Sequence, residues 1–110
     1  MSQRLKKYAP LLRMLNKASP AVRKRLIKNA CSSDFVKCVC ECASNIIKGN
    51  VPLTTAQKGQ LLRRKRLLKK LVLKKTSLKN KRKIVQSGGF LGALLGPIIS
   101  VLSSLFGGGQ

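Results

Sequence analysis

Residues 58 to 83 carry thirteen lysines and arginines and not one carboxylate, and no other feature limits the chain's folding as much. A solvated basic helix normally interleaves Glu one turn away from Lys for mutual support, and here none is available. The imbalance runs through the whole chain, where 24 basic residues face 2 acidic ones in 110, a formal net charge of +22. A compact monomer would crowd these charges with almost no internal counterions, so counter-charge is expected from outside: nucleic acid, an anionic membrane surface or an acidic protein. So short a chain also has a limited core, and one Tyr, three Phe and no Trp give it little aromatic bulk.

The basic residues divide the chain. Nine lie in residues 4 to 28, then come Lys37 and Lys48, then Lys58, Arg63, Arg64, Lys65, Arg66, Lys69, Lys70, Lys74, Lys75, Lys79, Lys81, Arg82 and Lys83. Beyond Lys83 there is none. Three segments follow: a basic arm with a Cys-bearing helical region over residues 1–50, a highly basic helical polyanion-binding segment over 51–87, and a Gly-flanked apolar segment over 88–110. The reading is all-α, a string of short helices with a separate apolar C-terminal helix, partly disordered when unbound. Turn chemistry sets the joints. Ser19-Pro20 is an N-cap followed by a first-turn proline, Ser32 or Ser33 caps the next helix, and Gly49 closes it. Thr54 and Gln57 have capping-box spacing, and Val51-Pro52 marks a linker. The first residues, MSQRLKKYAPLLRMLNK, lack the unbroken apolar stretch of a secretory signal, so synthesis in the cytosol with mostly reduced thiols is expected.

In the middle helix Cys31, Phe35, Cys38, Cys42 and Ile46 share one face, with Val39 and Ala43 beside them and Lys37 and Glu41 pointing away. Two readings of CSSDFVKCVCEC compete, a zinc or redox site and a stripe of small hydrophobes. The second fits better, because Cys40 points elsewhere, the chain has no His, and C-x-C is not the loop-borne C-x2-C of structural zinc. No metal or other cofactor is expected. Disulfides, including ones between chains, become available in an oxidising particle. With no His and only Asp34 and Glu41 as carboxylates, the chain lacks the acid-base pair of most hydrolytic chemistry, and no enzyme is expected.

A helix through residues 61 to 83 would align Leu61, Leu68, Leu71 and Val72 in a narrow stripe, yet Arg64 falls inside that stripe and cations occupy nearly every other direction. Along a phosphate backbone such charges release condensed counterions, and 24 of them match the phosphates of roughly 12 base pairs. No helix-turn-helix, zinc-finger or RNA-recognition pattern is visible, so binding without sequence preference is expected. RRKR and KNKRK are also compatible with nuclear localisation.

The C-terminal stretch GGFLGALLGPIISVLSSLFGGG contains no charge. Its residues 90 to 106 sit at the short limit for a membrane span, and Gly92, Gly96, Ser100 and Ser104 recur every fourth position, the small-xxx-small pattern of close helix contacts in lipid. Phe90, Leu91, Leu94, Leu95, Ile98, Ile99, Leu102, Leu105 and Phe106 are the expected membrane- or protein-docking side chains. Burial within a protein complex is the competing reading. Taken together, the segments suggest a protein that binds polyanions such as DNA through its charge and carries a docking tail, or alternatively a cationic membrane-active protein whose C-terminal helix inserts into or permeabilises bilayers.

The order of a Cys-bearing helix, KGNVPLTTAQKGQLLRRKRLLKKL and KNKRKIVQSGGFLGALLGPIISVLSSLF resembles the small basic proteins of Polinton or Maverick elements and the related adintoviruses. Those proteins are likened to the adenovirus core protein X, or mu, a condenser of the packaged genome. The resemblance spans roughly residues 35 to 106, most distinctively in GNVPLT with TAQK and in SGGFLGALLGP. It implies a virion component that sheathes and condenses double-stranded DNA, its tail docked to a capsid interior or to membrane; self-association, and passage through the host nucleus during assembly, are expected alongside. It also implies cutting by a viral protease at the paired glycines Gly88 and Gly89 of QSGG, where Gln86 stands in place of the aliphatic residue of such sites.

Overall fold

The computed structural model describes residues 3–49, 53–87 and 90–105. Seven helices follow one another: α1 (Gln3–Lys17), α2 (Pro20–Ala30), α3 (Ser33–Ile47), α4 (Thr55–Arg63), α5 (Lys65–Val72), α6 (Leu78–Gln86) and α7 (Phe90–Leu105), with no strand among the described residues. Local chemistry places their starts. The Ser19 hydroxyl accepts from the Val22 N–H and Pro20 opens α2, while the Ser32 hydroxyl accepts from the Phe35 N–H to cap α3. Thr54 and Gln57 form the full reciprocal box, and Ser77 caps α6 through the Asn80 N–H. Gly49, at φ +74°, turns the chain out of α3, a left-handed conformation that favours glycine. The expected linker at Val51-Pro52 lies outside the described residues.

One core gathers all three sequence segments. Around the pair α3 and α7 lie α1, α4, α5 and α6, and α2 lies against α1 and α6. Most of the apolar content comes from that pair: α3 contributes Phe35, Val36, Cys38, Val39, Cys42, Ala43 and Ile46, and α7 contributes Phe90, Leu91, Leu94, Leu95, Ile98 and Leu102. The basic helices bring little, with Ile27 from α2, Leu61 from α4, Leu68 and Leu71 from α5, and Ile84 and Val85 from α6. An edge-to-face pair of Tyr8 and Phe35, centroids 5.4 Å apart, joins α1 to α3.

Two expectations are corrected here. The apolar C-terminal helix is not separate: six of its side chains fill the centre of the protein, because the cationic helices have too few apolar residues to bury one another. Fully burying six such side chains contributes roughly 9–18 kcal/mol before entropy is counted. Nor do the described residues form a loose string. Their Cα radius of gyration is 12.8 Å, where a folded chain of this length gives about 13 Å and an unfolded one about 34 Å.

The long basic segment is also not one helix. It breaks at Arg64 (φ −115°, ψ 16°) and again between α5 and α6. A straight continuation would carry Arg64 into the core beside Leu61 and Leu68. The bend leaves its side chain half-buried while both leucines stay inside.

Candidate nucleic-acid interface

Helices α4, α5 and α6 each bury a narrow apolar edge and turn their cations outward. Anchored by Leu61, α4 presents Lys58 and Arg63. Leu68 and Leu71 seat α5 on α3, which leaves Lys65, Arg66, Lys69 and Lys70 in solvent. Lys74 and Lys75 project from the following turn, and Lys79 and Lys83 from α6. Ten of the thirteen expected phosphate-binding residues are therefore exposed. The other three, Arg64, Lys81 and Arg82, are half-buried.

Those three differ in surroundings. Lys81 lines a cleft of about 430 Å³ between α3 and the α5–α6 hairpin, with Lys37, Cys40, Glu41, Ser44 and Thr76 among its walls. Arg82 donates from Nη2 to the Ser33 hydroxyl at 3.1 Å, tying α6 to the start of α3. Its Nε is buried without a hydrogen-bond partner. On the other side of Thr76 lies a second, open groove of about 590 Å³, walled by Lys70, Leu73, Lys75, Thr76, Asn80, Lys83 and Ile84.

Both carboxylates of the protein are engaged elsewhere. Asp34 and Glu41 stand seven residues apart, two turns along one face of α3, and the Arg4 guanidinium of α1 spans them. Arg4 Nε donates to Asp34 at 2.9 Å and Nη1 to Glu41 at 2.7 Å, and Lys7 Nζ reaches Asp34 at 3.2 Å. Hydrogen bonds from Arg4 first and Lys7 second hold the Asp34 carboxyl below its usual range, and the same bond to Asp34 raises the Arg4 pKa. The seam welds α1 to α3 and takes up both acidic side chains of the chain. No acidic residue lies in α4, α5 or α6.

The four cysteines are free thiols. Cys38 and Cys42 are fully buried, and contact with Cys38 followed by burial pushes the Cys42 pKa up. Burial also raises Cys31 and Cys40, against the nearby charges of Arg82 and Lys81 respectively. Such thiols are poor nucleophiles. Among the described residues no three His, Cys, Asp or Glu side chains converge as a metal site would require.

The expected docking side chains Phe90, Leu91, Leu94, Leu95, Ile98 and Leu102 all lie in the core, and Ile99 is half-buried against it. The side chain of Leu105, and Phe106, Gly88 and Gly89 as whole residues, lie outside what the structure describes. At two positions of its small-residue seam, Gly92 and Gly96, α7 meets polar side chains. A Cβ on Gly92 would stand 3.0 Å from Arg23 Nη1, and one on Gly96 3.1 Å from Gln57 Nε2. Arg23 in turn donates to the Leu15 and Ala18 carbonyls at 3.0 Å each, closing the C-terminal end of α1. None of the described helices is long and apolar enough to cross a membrane.

Sequence reasoning missed the Arg4–Asp34–Glu41 seam, although the heptad spacing of the only two acids in so basic a chain was a signal for it. It also missed Thr76 and Asn80, which carry no charge and come together with the lysines only through the α5–α6 turn. No family model, curated protein or solved structure matches this chain.

Proposed function

We propose that this protein binds and condenses double-stranded DNA through its phosphates, without reading sequence, as a component of a packaged genome. One observation carries the reading: 18 of the 24 basic side chains are exposed, while both carboxylates are held at the α1–α3 seam. The exposed cations of the described residues thus far outnumber the carboxylates among them, and phosphates displace their mobile ions with a gain in entropy. Condensation has a geometric basis too. Twenty-four phosphates occupy about 41 Å of duplex, but the protein measures 32 × 27 × 25 Å. A single straight duplex meets one face, and the exposed cations of α1, α2 and the outer surface of α4 to α6 lie on different helices around the core. The remainder are free to hold a second duplex. The resemblance to Polinton-type basic proteins supports a place in the virion.

The test is a titration of two unrelated duplexes between 50 and 200 mM salt, with light scattering alongside. Eight or so phosphate contacts predict a loss of affinity of about 10⁴-fold across that range, equal for both sequences, and scattering that rises near charge neutrality. Salt-insensitive binding, or binding confined to one duplex, would overturn the reading. A role of α7 at a bilayer or capsid would require its six buried side chains to leave the core.

A further inference from the structure

The α5–α6 hairpin brings together groups that are scattered along the sequence. Lys70 stands near the end of α5, Lys75 and Thr76 in the turn, and Asn80 and Lys83 on α6, yet all five wall the same open groove of about 590 Å³. Concavity matters, because converging donors act on one anion where a convex face spreads them apart. Among the described residues no carboxylate lines the groove, and both acidic side chains of the chain, Asp34 and Glu41, are held by Arg4 and Lys7 at the α1–α3 seam. Lys37 and Lys81 wall the neighbouring cleft, which shares Thr76 with this one. The capped start of α6 lies at the same end, and its dipole adds to the positive potential. Lys70, Lys75 and Lys83 are all exposed, and among the described residues none of them makes an ion pair, so three ammonium groups around one hollow repel one another.

We propose that this groove is the principal phosphate-binding site of the protein: Lys70, Lys75 and Lys83 pair with neighbouring phosphodiesters of one DNA strand, and Thr76 and Asn80 donate hydrogen bonds to their oxygens. The site deepens the DNA-binding reading and rests on it. It makes the surface unequal, so that charge in the groove counts for more than the same charge elsewhere.

The test compares two variants of the full chain with equal loss of charge. One is Lys70→Gln/Lys75→Gln/Lys83→Gln, and the other is Lys6→Gln/Lys17→Gln/Lys28→Gln, at exposed positions of α1 and α2. Circular dichroism first establishes that both retain wild-type helix content. For a 20-base-pair duplex the groove variant should lose about tenfold more affinity than the other and lower the salt slope by about 3, roughly one per lysine. The α1–α2 variant should lower that slope by less than about 1. The charge-neutral Thr76→Val/Asn80→Ala change should weaken binding about threefold with an unchanged slope, as lost hydrogen bonds would. Equal losses in the two triple variants would overturn the groove and leave generic DNA binding standing. Absence of salt-dependent binding by the wild type would overturn both. Loss of binding to phosphatidylserine vesicles with duplex binding intact would assign the groove to a lipid surface and overturn the proposal.

Discussion

Lowering the salt should unfold this protein, and the size of the effect follows from its charge and dimensions. A net charge of +22 sits on a body whose Cα radius of gyration is 12.8 Å, equivalent to a sphere of about 16 Å radius. Smeared over that sphere in water, the charge has a self-energy of about 40 kcal/mol at a Debye length of ~30 Å (0.01 M) and about 23 kcal/mol at ~10 Å (0.1 M). For the unfolded chain, a sphere of about 40 Å, the corresponding values are about 10 and 4 kcal/mol. Raising salt from 0.01 to 0.1 M therefore favours the fold by about 10 kcal/mol, as much as the whole stability of a typical domain. Counterion association takes part of this, but half of it still shifts Tm by about 20 °C. The assay is far-ultraviolet circular dichroism with thermal melts across that interval, below the concentrations at which salts alter hydrophobic burial. Helical signal should be weak at the low end and rise with salt, and sub-stoichiometric duplex DNA should restore it without added salt. A Tm that stays constant or falls as salt is added would refute the reasoning.

Three further outcomes are expected. Leu94 is fully buried in the first half of α7, so Leu94→Ala should cost about 3 kcal/mol, measured by urea unfolding in 0.5 M salt; an unchanged midpoint would mean that α7 does not dock in the core. Asp34 has a folded pKa below its unfolded value, so its contribution is complete above pH ~4 and disappears as pH falls through the folded value. Melts between pH 2 and 6 should show that decline in the wild type, and Asp34→Asn should have a lower Tm at pH 6 with a flatter profile. Replacing residues 63 to 66, RRKR, with glutamines should weaken binding to unrelated duplexes equally and reduce the salt slope by less per charge than the groove variant does; a loss at one sequence only would contradict phosphate-directed binding.

Helix caps were legible because each depends on two or three neighbouring residues: Ser19-Pro20, Ser32, Thr54 with Gln57, and Gly49 act where the sequence puts them. The buried stripe of α3 was legible for a related reason, since Phe35, Cys38, Cys42 and Ile46 follow the helical repeat. The break at Arg64 was half legible. Its intrusion into the leucine stripe was visible, but continuing the helix, bending it or burying the charge cost different amounts only once α3 and α7 were present to pack against.

Sequence alone determined the charge surplus, the all-helical character and the position of the uncharged stretch, because these are properties of composition and of short-range backbone chemistry. Tertiary structure alone decided what covers the described part of the uncharged stretch. A run of leucines, isoleucines and glycines has the same hydropathy whether lipid, a partner or its own chain covers it, and here α1, α3, α4 and α6 do. Without that internal occupant the cationic helices would have almost nothing apolar to close around, and their repulsion would go unopposed. The same folding step draws Lys70, Lys75 and Lys83 into one hollow and sends both carboxylates to Arg4, a division of charge that depends on distances in space and not on order along the chain.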